Sequence, residues 1–403
     1  MRDSGRRTLF RGTSGDLRSI AVIARATSVD LMALLPVGLA GALGILIAAD
    51  HGASAALGGA LVSAFFFGGG LSALFTTSMS DRFGWQRVAS TGLLMISTGL
   101  LVIALSHLTA VLVIASGLCG AGSALVQPAT STFIAHALPL RRQALAINIK
   151  FAAAPGAFLV SGLSLPALAQ HLGWRFTYAA AAAVCLVGIG LVVSARSGAG
   201  RGLPAGQASD GSPSVLRHLW VPGLSMFLGS MLPGTVVAFM VPALVDAGYS
   251  PELAGGLFAA LNVMSVLSRV ALGLAANHPH LGTYRVVAAM MLLGGAGTLL
   301  MLWKQPAALL VGGALAFAMG FGWIGQAFSL AMRSLPDTPG AAAALIQSGG
   351  MGGSAVGPLI GAAAATSLGL DAAWIFAASA SVTGAVLILT RMPVRNQPLL
   401  PRA

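Results

Sequence analysis

Charge is what this sequence has least of. Ten acidic and 22 basic residues make up 8% of its 403 positions, where a soluble domain carries roughly 25%, so the chain cannot clothe itself for water. Cysteine is nearly absent. Cys119 and Cys185 both fall inside apolar runs, which excludes a disulfide framework and a cysteine-based metal site and leaves them as packing residues. His107, His136, His171, His278 and His280 stand near predicted loops with no metal-ligand spacing. No glycine-rich loop with Lys-Ser or Lys-Thr is present to cradle a phosphate, so no metal, nucleotide or other cofactor is expected and the energy source reads as a gradient, not ATP. The net charge of +12 does not point to nucleic acid, because the basic residues are scattered between apolar runs instead of forming a patch. The first 25 residues hold six Arg and no small-residue cleavage site after a short apolar core, so they do not read as a removed signal peptide.

What the chain has instead is apolar length. Hydrophobic residues make up 56% of it, and a bilayer core takes about 20 per helix. Runs between charges and turn residues predict spans near 27–49, 54–79, 87–106, 109–136, 143–169 and 175–194, then near 219–246, 252–276, 284–303, 307–332, 341–367 and 372–390. The 53 Gly suit helices that associate in lipid by close backbone approach. Between the two sets, Ser194 to His218 is rich in Gly, Ser, Pro and Arg and reads as an exposed linker. The expected fold class is therefore an all-α membrane protein of twelve transmembrane helices in two six-helix halves, a monomer in the lipid bilayer. Its expected parts are an N-terminal segment 1–26, a first half 27–194, a linker 195–218, a second half 219–391 and a tail 392–403.

Basic residues set the expected orientation. With the N-terminus cytoplasmic, eighteen of the 22 Lys and Arg fall on cytoplasmic segments, and Arg175 and Lys304 alone fall on the opposite side. That asymmetry predicts an inner-membrane, multi-pass protein with both termini inside. Trp85, Trp174 and Trp374 lie near predicted span ends and are expected to anchor in the membrane interface. A repeat of about 200 residues joins the halves. Leu35-Pro36 matches Leu232-Pro233, Gly58-Gly59 matches Gly255-Gly256, Gly120-Ala121-Gly122 matches Gly320-Phe321-Gly322, Ile147-Asn148 matches Ile346-Gln347, and Trp174 matches Trp374. Parallel repeats of this kind place a substrate path between them.

The turn between spans two and three reads Ser80-Asp81-Arg82-Phe83-Gly84-Trp85-Gln86-Arg87. Here the chain resembles the major facilitator superfamily, whose signature in this loop Asp81, Arg82, Gly84 and Arg87 fit, with Thr77 where a leading Gly is expected. The resemblance implies a gating loop. Gly84 allows the tight turn, and Asp81 faces the positive N-terminal end of the eleventh helix near Ala341 and latches the halves. Gly357-Pro358 near the middle of span eleven also fits the superfamily. Ala154-Pro155-Gly156 with Gly162 is loosely similar to a drug-antiporter pattern, but Ser116 stands where those antiporters often carry Arg. Proline frees a backbone acceptor, so span five reads either as a hinge or as simple packing. Ser268-Arg269 and Gly273 in span eight look like the monocarboxylate and oxalate–formate branches, in which an Arg of this helix is implicated in holding a substrate carboxylate.

Two cations lie inside spans, Lys150 and Arg269, at about 2.5–3.5 kcal/mol each on insertion scales. Asp30, in span one, is at similar depth. If spans one, five and eight border a central cavity, the three converge. Asp30 then partly neutralises Lys150 and leaves about one positive charge for an anion. Arg269 and Lys150 each read as substrate contact, inter-half gate or interface snorkel, and Asp30 as a pairing or proton-coupling group. Gln347, Gln326 and Trp323 are further candidates at cavity depth, or helix packing. A membrane-embedded enzyme would need a cluster of acids or nucleophiles at one depth, which a single intramembrane acid does not supply. The expected function is thus secondary transport of a small organic anion, a carboxylate, with a proton as coupling partner; the alternative is a drug or metabolite exporter working by proton antiport, in which the cations serve gating.

Overall fold

The computed structural model describes residues 6–54, 56–76, 79–195, 213–275, 281–334 and 339–392. Among the described residues there is helix and no strand. The first half holds α1 (Arg6–Asp50), α2 (Ala56–Thr76), α3 (Trp85–Leu105), α4 (Thr109–Ala137), α5 (Leu140–Phe151, resuming as Ala153–Ser164) and α6 (Gln170–Val193). The second holds α7 (Pro213–Asp246), α8 (Pro251–Ala275), α9 (Tyr284–Leu300), α10 (Pro306–Leu315, resuming as Phe321–Ser334), α11 (Pro339–Leu368) and α12 (Leu370–Arg391). Eleven helical segments are long and apolar enough to cross a membrane. One of them, Ile149–Val193, reverses at Gly173, where φ is 84° and ψ 157°, and so comprises α5 and the spanning part of α6. The described helices therefore make twelve spans. Most agree with the apolar runs to within a few residues, because the length of an apolar run is set by the thickness of the bilayer core.

Three expectations need correction. The first helix begins at Arg6, far ahead of residue 27, since its apolar stretch opens only at Ser19 and a search for apolar runs cannot see the polar turns before it. α7 likewise begins at Pro213, inside the expected linker, while residues 196–212 and the tail from 393 lie outside the described residues. Trp85, Trp174 and Trp374 do not anchor in the interface: all three are buried. Trp85 stacks on Phe133 at 4.3 Å, and Trp174 meets Tyr178 edge-on at 6.0 Å. Position along a helix shows depth but not which face looks toward lipid. The tryptophans that do face outward are Trp220 and Trp303.

The repeat is written into the turns. On the side away from the termini, Gly52 and Gly248 follow the first helix of each half with φ of 58° and 93°, and Gly173 and Gly369 precede the last with φ of 84° and 89°. A side chain at any of these would be strained, which is why glycine recurs at a fixed interval there. Each half also ties its third helix to its sixth on that side. Arg175 donates to the carbonyls of Ala104 and Ser106 and pairs with Asp50 at 2.9 Å, and Lys304 pairs with Asp371 at 2.9 Å. The second pair is largely exposed and contributes less than about 1 kcal/mol.

The halves meet through small residues. A Cβ on Gly41 of α1 would stand 2.3 Å from the Val237 oxygen of α7, and one on Gly162 of α5 would stand 2.7 Å from the Gly255 oxygen of α8. Both approaches lie toward the side away from the termini. Nearer the terminal side the halves touch through side chains instead: the rings of Phe151 in α5 and Phe328 in α10 meet edge-on at 5.2 Å.

Candidate functional site

Lys150 is the penultimate residue of the first segment of α5, facing α1 and α4. Its ammonium lies 3.2 Å from Asp30 Oδ2 and donates to the Gln127 carbonyl and to Ser131 Oγ, each at 2.6 Å. Thr130 Oγ1 donates to Asp30 Oδ1 at 2.5 Å. Both charged residues are 5% exposed or less. Three helices of the first half thus build one closed polar knot. The spacing explains the role of α4, since Gln127, Thr130 and Ser131 occupy adjacent turns and present their oxygens on one face. In low dielectric, a buried pair gains enough Coulomb energy to offset desolvation only when its remaining donors and acceptors are also satisfied. Here they are, and the pair is electrically neutral.

Arg269 does not join that knot. It projects from α8 toward α5, is 7% exposed, and donates from Nη1 to the Phe151 carbonyl at 2.7 Å. Its Nε–H is buried without a hydrogen-bond partner, and among the described residues no carboxylate reaches it. The expected meeting of three charges is therefore two meetings. Lys150 and Asp30 neutralise each other inside the first half, and Arg269 bridges to the backbone one residue further along α5. Snorkelling is overturned for both cations, because their charged ends turn inward to these partners rather than out toward the interface.

The remaining candidates are placed as follows. Gln326 is buried and donates from Nε2 to the Leu281 carbonyl, tying α10 to the turn before α9. Trp323 is enclosed in the core of the second half, against Gly229 of α7. Among the described residues no hydrogen bond joins either to Arg269 or Lys150, and the contacts they make are those of helix packing. The apolar face of α10 that holds Trp323 is filled by its own half. Gln347 is half-buried on α11. In the loop, Gly84 takes φ 83° at the turn and Arg82 and Arg87 are exposed. Asp81 belongs to the short helix Met79–Phe83, and its side chain, like that of Ala341, lies outside the described residues. Ser116, at the position where antiporters carry Arg, donates to the Leu61 carbonyl at 2.7 Å and joins α4 to α2.

Sequence reasoning missed the polar residues of α4 and the Phe151 carbonyl. For Thr130 and Ser131 a signal exists, since each stands one helical turn from Gln127 in an otherwise apolar span. For Phe151 the signal is Pro155, four residues on, which cannot donate to it.

A family model described as Major Facilitator Superfamily matches residues 26–338 of the chain. No curated protein matches it.

Proposed function

The chain belongs to the major facilitator superfamily and is a multi-pass secondary transporter, and from that premise we propose that it carries a small organic anion bearing a carboxylate. One observation supports this above others: Arg269 is a buried guanidinium with no carboxylate partner among the described residues and with Nε unpartnered. A charge held that way is costly unless an anion arrives to meet it. The Nη1 corner is occupied by Phe151, which leaves the Nε–Nη2 edge, the edge that grips a carboxylate with two parallel hydrogen bonds. The Asp30–Lys150 pair adds no net charge to oppose this. The short similarity of Ser268-Arg269 to the monocarboxylate and oxalate–formate branches runs in the same direction.

Transport on this reading proceeds by alternating access, the halves rocking about Arg269 and the Gly41 and Gly162 contacts. The test is uptake of acetate, lactate, oxalate and succinate into proteoliposomes, set against the corresponding amides and a lipophilic cation. At least one carboxylate should be carried, and its amide should compete at least about tenfold more weakly, because a neutral group forfeits the charge-assisted pair. Transport of the lipophilic cation alone would replace this reading with the exporter.

The proposed orientation has both termini cytoplasmic, on the strength of the eighteen-to-two distribution of Lys and Arg. Ser250 is exposed in the turn between α7 and α8, and Ser250→Cys should react with an impermeant thiol reagent from outside intact cells. Ser212→Cys, on the linker, should not. Cys119 and Cys185 are both buried and give little background. Labelling at 212 with protection at 250 would invert the topology.

A further inference from the structure

Along α5 the backbone ladder skips one carbonyl. The Ala152 N–H turns back to the Ile149 oxygen at 3.0 Å, and Gly156 N–H resumes the helix on the Ala152 oxygen at 3.1 Å. Between them the Phe151 oxygen would accept from residue 155, but residue 155 is proline and has no N–H to give. A buried carbonyl left in this way must find another donor. The same event occurs in α1, where Pro36 leaves the Met32 oxygen open and the Cys185 thiol donates to it at 3.6 Å. That repair stays inside the first half and uses a weak donor. At Phe151 the donor comes from the other half and is a full guanidinium.

A thiol is enough to satisfy such an oxygen, so the choice of arginine at Phe151 concerns the donors that remain. We infer that Pro155 is a positioning residue for transport: by withholding an N–H it gives the Phe151 carbonyl to Arg269, and that bond aims the Nε–Nη2 edge at the anion. The inference rests on the carboxylate reading above. The carbonyl is itself fixed, because the Phe151 ring is braced on Phe328 at 5.2 Å. Without the bond, Arg269 keeps its charge but gains rotamer freedom, which must be given up again when the anion is gripped at both oxygens.

Pro155→Ala supplies the missing N–H, which competes for the Phe151 oxygen from four residues away. Binding of the best of the four carboxylates to the full-length protein in detergent should weaken about tenfold, with turnover at saturating anion changed by less than about twofold. Replacing residue 155 by the α-hydroxy analogue of alanine, which has neither the ring nor an N–H, should keep binding near that of the unaltered protein. A role for the ring alone predicts that the two variants behave alike. The inference is overturned if Pro155→Ala binds normally, or if the backbone ester binds as weakly as Pro155→Ala. Arg269→Lys in the same assay separates the two claims: weakened binding there with normal binding in Pro155→Ala removes the positioning role alone, whereas normal binding in Arg269→Lys removes the carboxylate reading itself.

Discussion

Lys150→Met should destabilise the protein by about 3–5 kcal/mol, because it leaves Asp30 buried with no opposite charge. Thr130 would be the remaining donor to that carboxylate, and one neutral hydroxyl does not offset the desolvation of an ion. Asp30→Asn should cost less, since Lys150 would keep the Gln127 carbonyl and Ser131 Oγ, both at 2.6 Å. The double variant should recover most of the loss, because removing both charges removes the desolvation penalty along with the attraction. Thermal unfolding of the four proteins in detergent gives the coupling as a double-mutant cycle. If the double variant is as unstable as Lys150→Met, packing of the long side chain and not charge is what Lys150 contributes. The same series bears on proton coupling. A pair that only holds the first half together can be replaced with transport retained, and one that carries the coupling proton cannot.

Arg269→Lys is expected to weaken carboxylate binding by about 1.5–3 kcal/mol, or roughly tenfold to 150-fold, although the charge is kept. The ammonium is a point donor. It can hold the Phe151 carbonyl or meet the anion, but it has no planar edge with which to grip two oxygens while bonded at a third corner. A residue that served only to hold the halves together through Phe151 would tolerate Lys. Its replacement would then slow transport of every solute and leave binding unchanged, and that result, read by equilibrium binding beside uptake rate, would favour the exporter. The two variants touch separate machinery, so their effects should differ in kind. Lys150→Met falls on stability and Arg269→Lys on affinity.

How much of this could be read beforehand depended on the range over which each feature acts. Spans are local: the apolar run predicted over 109–136 is the helix Thr109–Ala137, and the run over 372–390 lies within Leu370–Arg391. The Gly84 turn is also local, since a positive φ needs glycine whatever surrounds it. The paired glycines at 52 and 248 and at 173 and 369 were legible by the same rule, and only their interval had to be noticed. Facing is different. Trp174 and Trp374 were correctly placed near the ends of helices but wrongly turned toward lipid, because rotation about the helix axis is set by the neighbours that fill each groove.

By itself, then, the sequence determined an all-helical membrane protein of twelve spans, because each span answers to bilayer thickness and each turn to backbone sterics, both acting within about 25 residues. It also placed Lys150, Arg269 and Asp30 inside or at the edge of apolar spans, while leaving open whether each cation turned inward or out to the interface. Only the tertiary structure decided their partners. Asp30 and Lys150 come from α1 and α5, Thr130 is 100 positions from Asp30, and Arg269 is 118 positions from Phe151. Which buried charge meets which oxygen depends on how helices distant in sequence rotate and approach, and that is fixed by small-residue contacts such as Gly162 on Gly255 rather than by any local preference.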